Sequence, residues 1–268
     1  MWWFQQGMSF LPTALVIWSG AAFSFSFITA VTLHHVDPLV PYISDIGTTP
    51  PERCLFGIML SISAFLGVGT MYVRYKQVDA LIREEASVVY RLNQVGFGLG
   101  LVSCLGLCIV ANFQKTTLIQ AHIVGAVLTF GMGIIYLLMH TIISYKMQPV
   151  FHGIKIFWIR CVLLIWCAGS ILSMFVSSVA LYITIPTIEM AMKLHWSPSE
   201  KGYTLHIVST ISEWSLAFSF LSFFLTYIRD FQKITLTAEV KLCSDTLYER
   251  LQTLERSGER STHLAGSL

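Results

Sequence analysis

Six apolar runs, separated by short polar stretches, organise the chain. They fall at residues 9–33, 54–73, 92–111, 118–143, 157–185 and 204–228. Each reaches the roughly 20 residues that a helix needs to cross a bilayer. Pro, Gly, Asp and Lys collect between them, as connections require. The pattern predicts an all-α fold: a polytopic membrane protein whose residues 1–228 form a six-transmembrane-helix bundle. From residue 229 the chain turns polar and charged. Residues 229–268 are expected to be a cytosolic tail, partly disordered.

Composition strengthens this reading. Apolar residues make up 54% of the chain and charged residues only 12%, about half the charged share of a soluble domain. One soluble core of this size cannot hide so much apolar surface. The residues before the first run, Met1 to Gly7, contain no Lys or Arg. That run is too long for a signal-peptide core, so it is expected to stay in the membrane.

The placement of charge sets the orientation. Of the 17 Lys and Arg residues, 13 fall in the connections 74–91 and 146–160 and in the segment after 228. The opposite set holds Arg53, Lys115, Lys193 and Lys201. Positive-inside bias places the richer set in the cytosol. With an even number of helices, both termini are expected there. Aromatic residues fit the two interfaces: Trp2, Trp3 and Phe4 before the first run, Phe157 and Trp158 opening the fifth, and Tyr227 closing the sixth.

The six cysteines, Cys54, Cys104, Cys108, Cys161, Cys167 and Cys243, do not suggest a disulfide framework. Small residues are frequent in the third and fourth runs, among them Gly96, Gly98, Gly100, Gly125, Gly131 and Gly133. They point to close helix packing.

Glu213 is the most informative single residue. It lies near the middle of the sixth run, where an unpaired acid costs on the order of 3 kcal/mol. It should therefore face the bundle interior. His206 is seven residues earlier on the same helical face, and His122 lies at the start of the fourth run. His122, His206 and Glu213 form a candidate intramembrane polar cluster. Two readings stay open: a proton-linked or lipid-headgroup site, or a hydrogen-bonded clasp between helices. His140 is a further intramembrane polar group.

The first luminal loop offers His34, His35, Asp37 and Asp45 among Pro38, Pro41, Pro50 and Pro51. Two His and a carboxylate raise a metal site, but adjacent His residues point apart and no third strong ligand has fixed spacing. A loop stiffened by proline is the favoured reading, and no metal is assigned. No nucleotide-binding glycine loop, nucleophile elbow or zinc-protease motif occurs, so no cofactor or enzymatic activity is implied. Nucleic-acid binding is not expected. In the tail, Tyr248 and Leu251 have the tyrosine-x-x-apolar form read by clathrin adaptors in endosomal and lysosomal sorting. Leu247, Leu251 and Leu254 equally fit a short amphipathic turn.

Several long segments carry a resemblance. They are MWWFQQGMSFLPTALVIW, ITAVTLHHVDPLVPYISDIGTTPPERCLFG, MYVRYKQV, IVANFQKTTL, AHIVGAVLTFGMG, KLHWSPSEKGYTLH, EWSLAFSF and FFLTYIRDFQKI. Together they resemble the DNA-damage regulated autophagy modulator family, within the wider Frag1/DRAM/Sfk1 group, over roughly residues 1–234. The tail beyond departs from the family pattern. The resemblance implies a six-pass protein of the lysosomal membrane that promotes autophagy. It also implies roles in cell death and in photoreceptors, at the inner segment and at the apical membrane of pigment epithelium. It brings no catalytic residues. The wider group includes proteins tied to phosphoinositide signalling and to glycolipid-anchor remodelling.

Two functional classes follow. One is a non-enzymatic membrane regulator of autophagy, meeting cytosolic autophagy or adaptor proteins and anionic membrane lipids through its basic face. The alternative is a lipid-binding, lipid-remodelling or transport protein using the His/Glu site. A channel is the weakest option, since one deep acid and no broken helix give little to conduct through.

Overall fold

Each apolar run folds as one helix in the computed structural model, which describes residues 7–82, 87–148, 153–185, 192–237 and 252. The helices are α1 (Phe10–Thr32), α2 (Glu52–Leu81), α3 (Ser87–Asn112), α4 (Ile119–Lys146), α5 (Ile154–Thr184) and α6 (Tyr203–Phe231). All six are long and apolar enough to cross a membrane. No strand occurs among the described residues. Contacts divide the chain into Met1–Ile234, which holds the bundle, and Thr235–Leu268. Tyr248, Leu251, Cys243 and the aromatic residues at positions 2–4 lie outside the described residues.

The helices run past the apolar segments that announce them. The run 54–73 becomes α2, Glu52–Leu81, because backbone hydrogen bonding continues after hydropathy falls at Arg74. Helix α4 is not uniform: Val127–Met132 is a π-helical segment between two α-helical halves. A π-turn has no hydropathy signature, so the apolar run gives no hint of it. Helix α6 relaxes its winding at Thr226 and closes with the short turn Tyr227–Phe231.

The outer surface is apolar, with Ile183 83% exposed and Phe65 73% exposed. Polar groups turn inward instead. Serine hydroxyls bridge helices: Ser19 donates to Ser63 at 2.9 Å across α1 and α2. Between α5 and α6, Ser212 donates to Ser173 at 2.8 Å, and the pairs Ser170–Ser215 and Ser178–Ser209 lie at 3.0 and 2.8 Å. Helices in lipid gain little from burying apolar surface against each other, so close packing and such bonds hold the bundle.

Both ends of the bundle lie on one face, where the Met8 amide donates to the Phe231 carbonyl at 3.0 Å. That face carries a buried charge cluster. Arg74 and Arg160 are fully buried, and both reach Asp230 Oδ2, at 3.4 and 2.7 Å. Tyr227, expected at headgroup level, is fully buried beneath them instead. Its ring centroid lies 5.3 and 4.9 Å from the two guanidinium carbons. Two desolvated cations outbid the interface for its π-face. The described cysteines are all free thiols.

Candidate functional site

The opposite face is built by the loop 33–51, which folds down into the bundle. Tyr42, Ile43, Asp45 and Ile46 are all buried. A loop at that depth needs internal partners for its backbone, and α6 supplies two. Glu213 lies ten residues into α6, about 15 Å along it. Its Oε2 accepts a hydrogen bond from the Ile43 amide at 2.7 Å. The neighbouring Trp214 donates from Nε1 to the Pro41 carbonyl at 2.8 Å. Edge-on contacts with Phe23 and Phe27 of α1, at 6.0 and 6.3 Å, fix the indole. Just before these anchors Val40 adopts φ 44°, a left-handed conformation that costs a β-branched residue.

Deeper in the same loop, Asp45 forms a buried ion pair with Lys115. Burial pushes the Asp45 carboxyl up, and Lys115 opposes that shift. The Lys115 ammonium also lies over the Tyr42 ring, 4.9 Å from its centroid. Burial raises the Tyr42 hydroxyl well above its ordinary pKa. The ring of Tyr42 meets His206 edge-on at 5.2 Å.

His206 is stacked on its other side against Trp196 at 4.3 Å and 10°. The loop before α6 is thereby latched to the first loop. The Trp196 amide donates to Asp37 Oδ2 at 2.6 Å, and His195 Nδ1 lies 3.0 Å from Asp37 Oδ1. Burial alone would push the Asp37 carboxyl up, but these two bonds outweigh it and hold it below its ordinary value. Gly202, at φ 89°, starts α6 from a left-handed conformation. A Cβ there would lie 2.8 Å from Leu181.

Below the inserted loop lies a chamber of about 140 Å³, lined by residues that include Ser44, His122, Phe130, Glu213 and Phe220. It adjoins a more open cleft of about 460 Å³ between α4 and α5. Ser44, His122, Ala126, Phe130 and Glu213 line both. Glu213 lines this shared space. His122 Nδ1 lies 2.7 Å from the Phe113 carbonyl. A carbonyl only accepts, so Nδ1 carries the proton and Nε2 of the neutral ring is an acceptor.

The three residues of the candidate polar cluster are thus partly brought together. Glu213 and His122 share the chamber, whereas His206 stands above it in the aromatic stack. No hydrogen bond joins any two of the three among the described residues. The four loop residues separate: His35 Nδ1 pairs with the buried Glu52 at 2.6 Å, Asp37 with His195, and Asp45 with Lys115. His34 stands apart at φ 60°. No three metal-ligating side chains gather among the described residues. His140 packs on Tyr136 at 4.3 Å near the arginine cluster, on the other face.

Sequence reasoning misses two features. One is the convergence of Arg74, Arg160 and Asp230; the available signal was an arginine only three residues inside an apolar run, at Phe157–Arg160. The other is the pairing of Lys115 with Asp45 across 70 residues, for which a single sequence has no signal.

Residues 7–234 match the Frag1/DRAM/Sfk1/Cwh43P N-terminal domain family. The chain is 61% identical to human DNA damage-regulated autophagy modulator protein 2 over 249 residues, covering 93% of each. It is 43% identical to human DNA damage-regulated autophagy modulator protein 1 over 246 residues, 90% of this chain and 98% of the relative. A more distant relative is the modulator of macroautophagy TMEM150B of Xenopus tropicalis, 34% identical over 166 residues, 61% of this chain and 70% of the relative. No solved structure matches.

Proposed function

The chain belongs to the Frag1/DRAM/Sfk1/Cwh43P N-terminal domain family, and from that premise we propose that it is a multi-pass autophagy modulator of the lysosomal membrane, acting as a non-enzymatic regulator. The carrying observation is the 61% identity to a human autophagy modulator across 93% of both chains. Positive-inside charge orients the arginine-cluster face, with both termini, toward the cytosol. That face would meet autophagy or adaptor proteins and anionic lipid. The inserted loops would then face the lumen. Roles in cell death and in photoreceptors, at the inner segment and the apical membrane of pigment epithelium, rest on the family resemblance alone.

The test is rescue of autophagic flux in cells lacking the endogenous protein, with lysosomal co-localisation scored in parallel. Restored flux from a lysosomal pool supports the reading. Full rescue by protein confined to the endoplasmic reticulum would sink the lysosomal assignment.

A second reading is favoured by one specific observation: a carboxylate at the junction of a chamber and a cleft that lies between two membrane-spanning helices. It is that the protein binds, remodels or moves a lipid, with Glu213 and His122 at the polar end.

A further inference from the structure

Helices α4 and α5 touch firmly at one end only. Near the arginine cluster, Arg160 donates to Ser144 and the rings of Tyr145 and Phe157 lie 5.2 Å apart. Toward the loop 33–51 the 460 Å³ cleft separates them. Its walls are apolar, with Ile123, Val127 and Phe130 on α4 and Ile171, Met174 and Phe175 on α5. Val127 is 59% exposed and Phe175 65%, so the cleft is open along the lipid-facing side of the bundle. From Ile171 to Tyr182 it follows about 16 Å of helix. With the chamber it falls within the roughly 300–1,000 Å³ typical of small-molecule sites. The π-helical segment Val127–Met132 widens α4 along this wall, and such segments recur at functional sites.

The polar end decides the occupant. The hydrogen bonds that Glu213 accepts come from the backbone, at Ile43 and Ser44, and it forms no ion pair among the described residues. Lys115, the cation lining the same cleft, is committed to Asp45. Lys115, Asp45 and Glu213 together therefore carry one negative charge in excess when all are ionised. A buried carboxyl in a water-poor space either keeps its proton or pairs with a cation, and an ammonium that enters the cleft favours the ionised pair. Tyr42, Ser44, Ser178 and Tyr182 bring hydroxyl groups to the same end. The Tyr42 hydroxyl is buried beside Ser209, without a hydrogen bond of good geometry.

We propose that the cleft takes a single-chain amphiphile bearing a protonated amine and a hydroxyl group, of the sphingoid-base class. Its ammonium pairs with Glu213, its hydroxyl meets the Tyr42 and Ser178 hydroxyls, and its tail lies between α4 and α5. A phospholipid would bring a phosphate up to the carboxylates of Glu213 and Asp45. A sterol would leave the Glu213 charge unanswered. The assignment rests on the second reading above, because it names the lipid which that reading leaves open.

The test uses the full-length protein in nanodiscs and a photoactivatable sphingosine with the crosslinker in its tail. Competitors are sphingosine, N-acetylsphingosine (same tail, no charge), cholesterol and phosphatidylcholine. Sphingosine is expected to compete at least tenfold better than N-acetylsphingosine, with crosslinks mapping to α4 and α5. Glu213→Gln keeps an acceptor for the Ile43 amide and is expected to weaken labelling tenfold or more. Val127→Trp fills the cleft from the lipid side, far from the loop bonds, and is expected to abolish labelling while the protein remains monodisperse. Equal competition by N-acetylsphingosine or cholesterol overturns the amine assignment yet leaves a lipid site. Labelling that survives Val127→Trp, or no specific labelling at all, overturns the site and with it the lipid reading.

Discussion

Arg160 Nη2 donates to Asp230 Oδ2 at 2.7 Å, joining the start of α5 to the end of α6 through a bond whose arginine is fully buried. The same guanidinium donates from Nε to Thr226 at 2.9 Å, beside the point where α6 relaxes its winding. Asp230 thus answers two buried arginines. Removing one partner of a buried ion pair costs about 3–5 kcal/mol. Asp230→Ala is expected to lower the thermal unfolding midpoint in detergent sharply, or to abolish the folded protein. Arg160→Lys is expected to fall between wild type and Asp230→Ala, because an ammonium cannot hold Thr226 and Asp230 in the fixed fork of a guanidinium. Wild-type stability in Asp230→Ala would show that the cluster contributes nothing to the fold.

Glu213 holds the Ile43 amide, and substitutions can divide that contact from the ligand role proposed for it. Gln retains a carbonyl for the Ile43 amide, whereas Leu removes it and leaves a buried donor without a partner. An unmet buried donor costs about 1–3 kcal/mol. Glu213→Leu is expected to be measurably destabilised, with faster proteolysis of the loop 33–51. Glu213→Gln is expected to unfold near the wild-type midpoint while failing to restore autophagic flux. Full rescue by the Gln variant would make Glu213 a clasp for the loop and nothing more.

Hydropathy made the six helices legible, because a bilayer demands continuous apolar runs and little else produces them. It also marked Glu213 as a residue that must turn inward. It could not say toward what. The acid meets a loop backbone 170 residues away, and neither His122 nor His206 is its partner. Backbone donors are the same at every residue except proline, so no side-chain pattern announces which one is met. The charge count read Arg74 and Arg160 as markers of orientation, since such counts treat each charge as solvated. Their burial emerges only when α2, α5 and α6 are packed together. The loop was legible as stiff from its prolines, but its descent into the bundle depends on Trp214 and Glu213, far away in sequence.

Close approach of α3 and α4 depends on Gly106, which the glycine-rich pattern did not single out. A Cβ at Gly106 would lie 2.5 Å from the Thr129 amide nitrogen and 2.7 Å from the Gly125 carbonyl. Those are backbone atoms, so relief requires the helices to part at the π-helical wall of the chamber. Overpacking of this kind costs about 1–3 kcal/mol. Gly98 is the matched control, with nothing within 4 Å of its Cβ position. Gly106→Ala is expected to lower the unfolding midpoint, and Gly98→Ala to leave it unchanged or raise it slightly. Equal midpoints for the two variants would refute a tight α3–α4 contact at Gly106.

The latch between the two loops should outlast acidification. Asp37 accepts from the Trp196 amide and pairs with His195, which holds its carboxyl below the ordinary value of 3.8. A carboxyl depressed in the folded state contributes stability that is present above its unfolded pKa. That contribution is lost only as pH falls through the lower, folded value. The latch is therefore expected to hold across neutral and moderately acidic pH and to weaken below about pH 4. Hydrogen exchange at the Trp196 amide, corrected for intrinsic rates, should stay slow from pH 7 to pH 5 in wild type. In Asp37→Asn the charge is gone at every pH, so exchange should be faster throughout and show no acid transition from this carboxyl. A wild-type amide that already opens between pH 6 and pH 5 would place the controlling titration on a group other than Asp37. The aromatic stack of Trp196 on His206 would then be the element to examine, since its histidine loses the covering indole when the loop lifts.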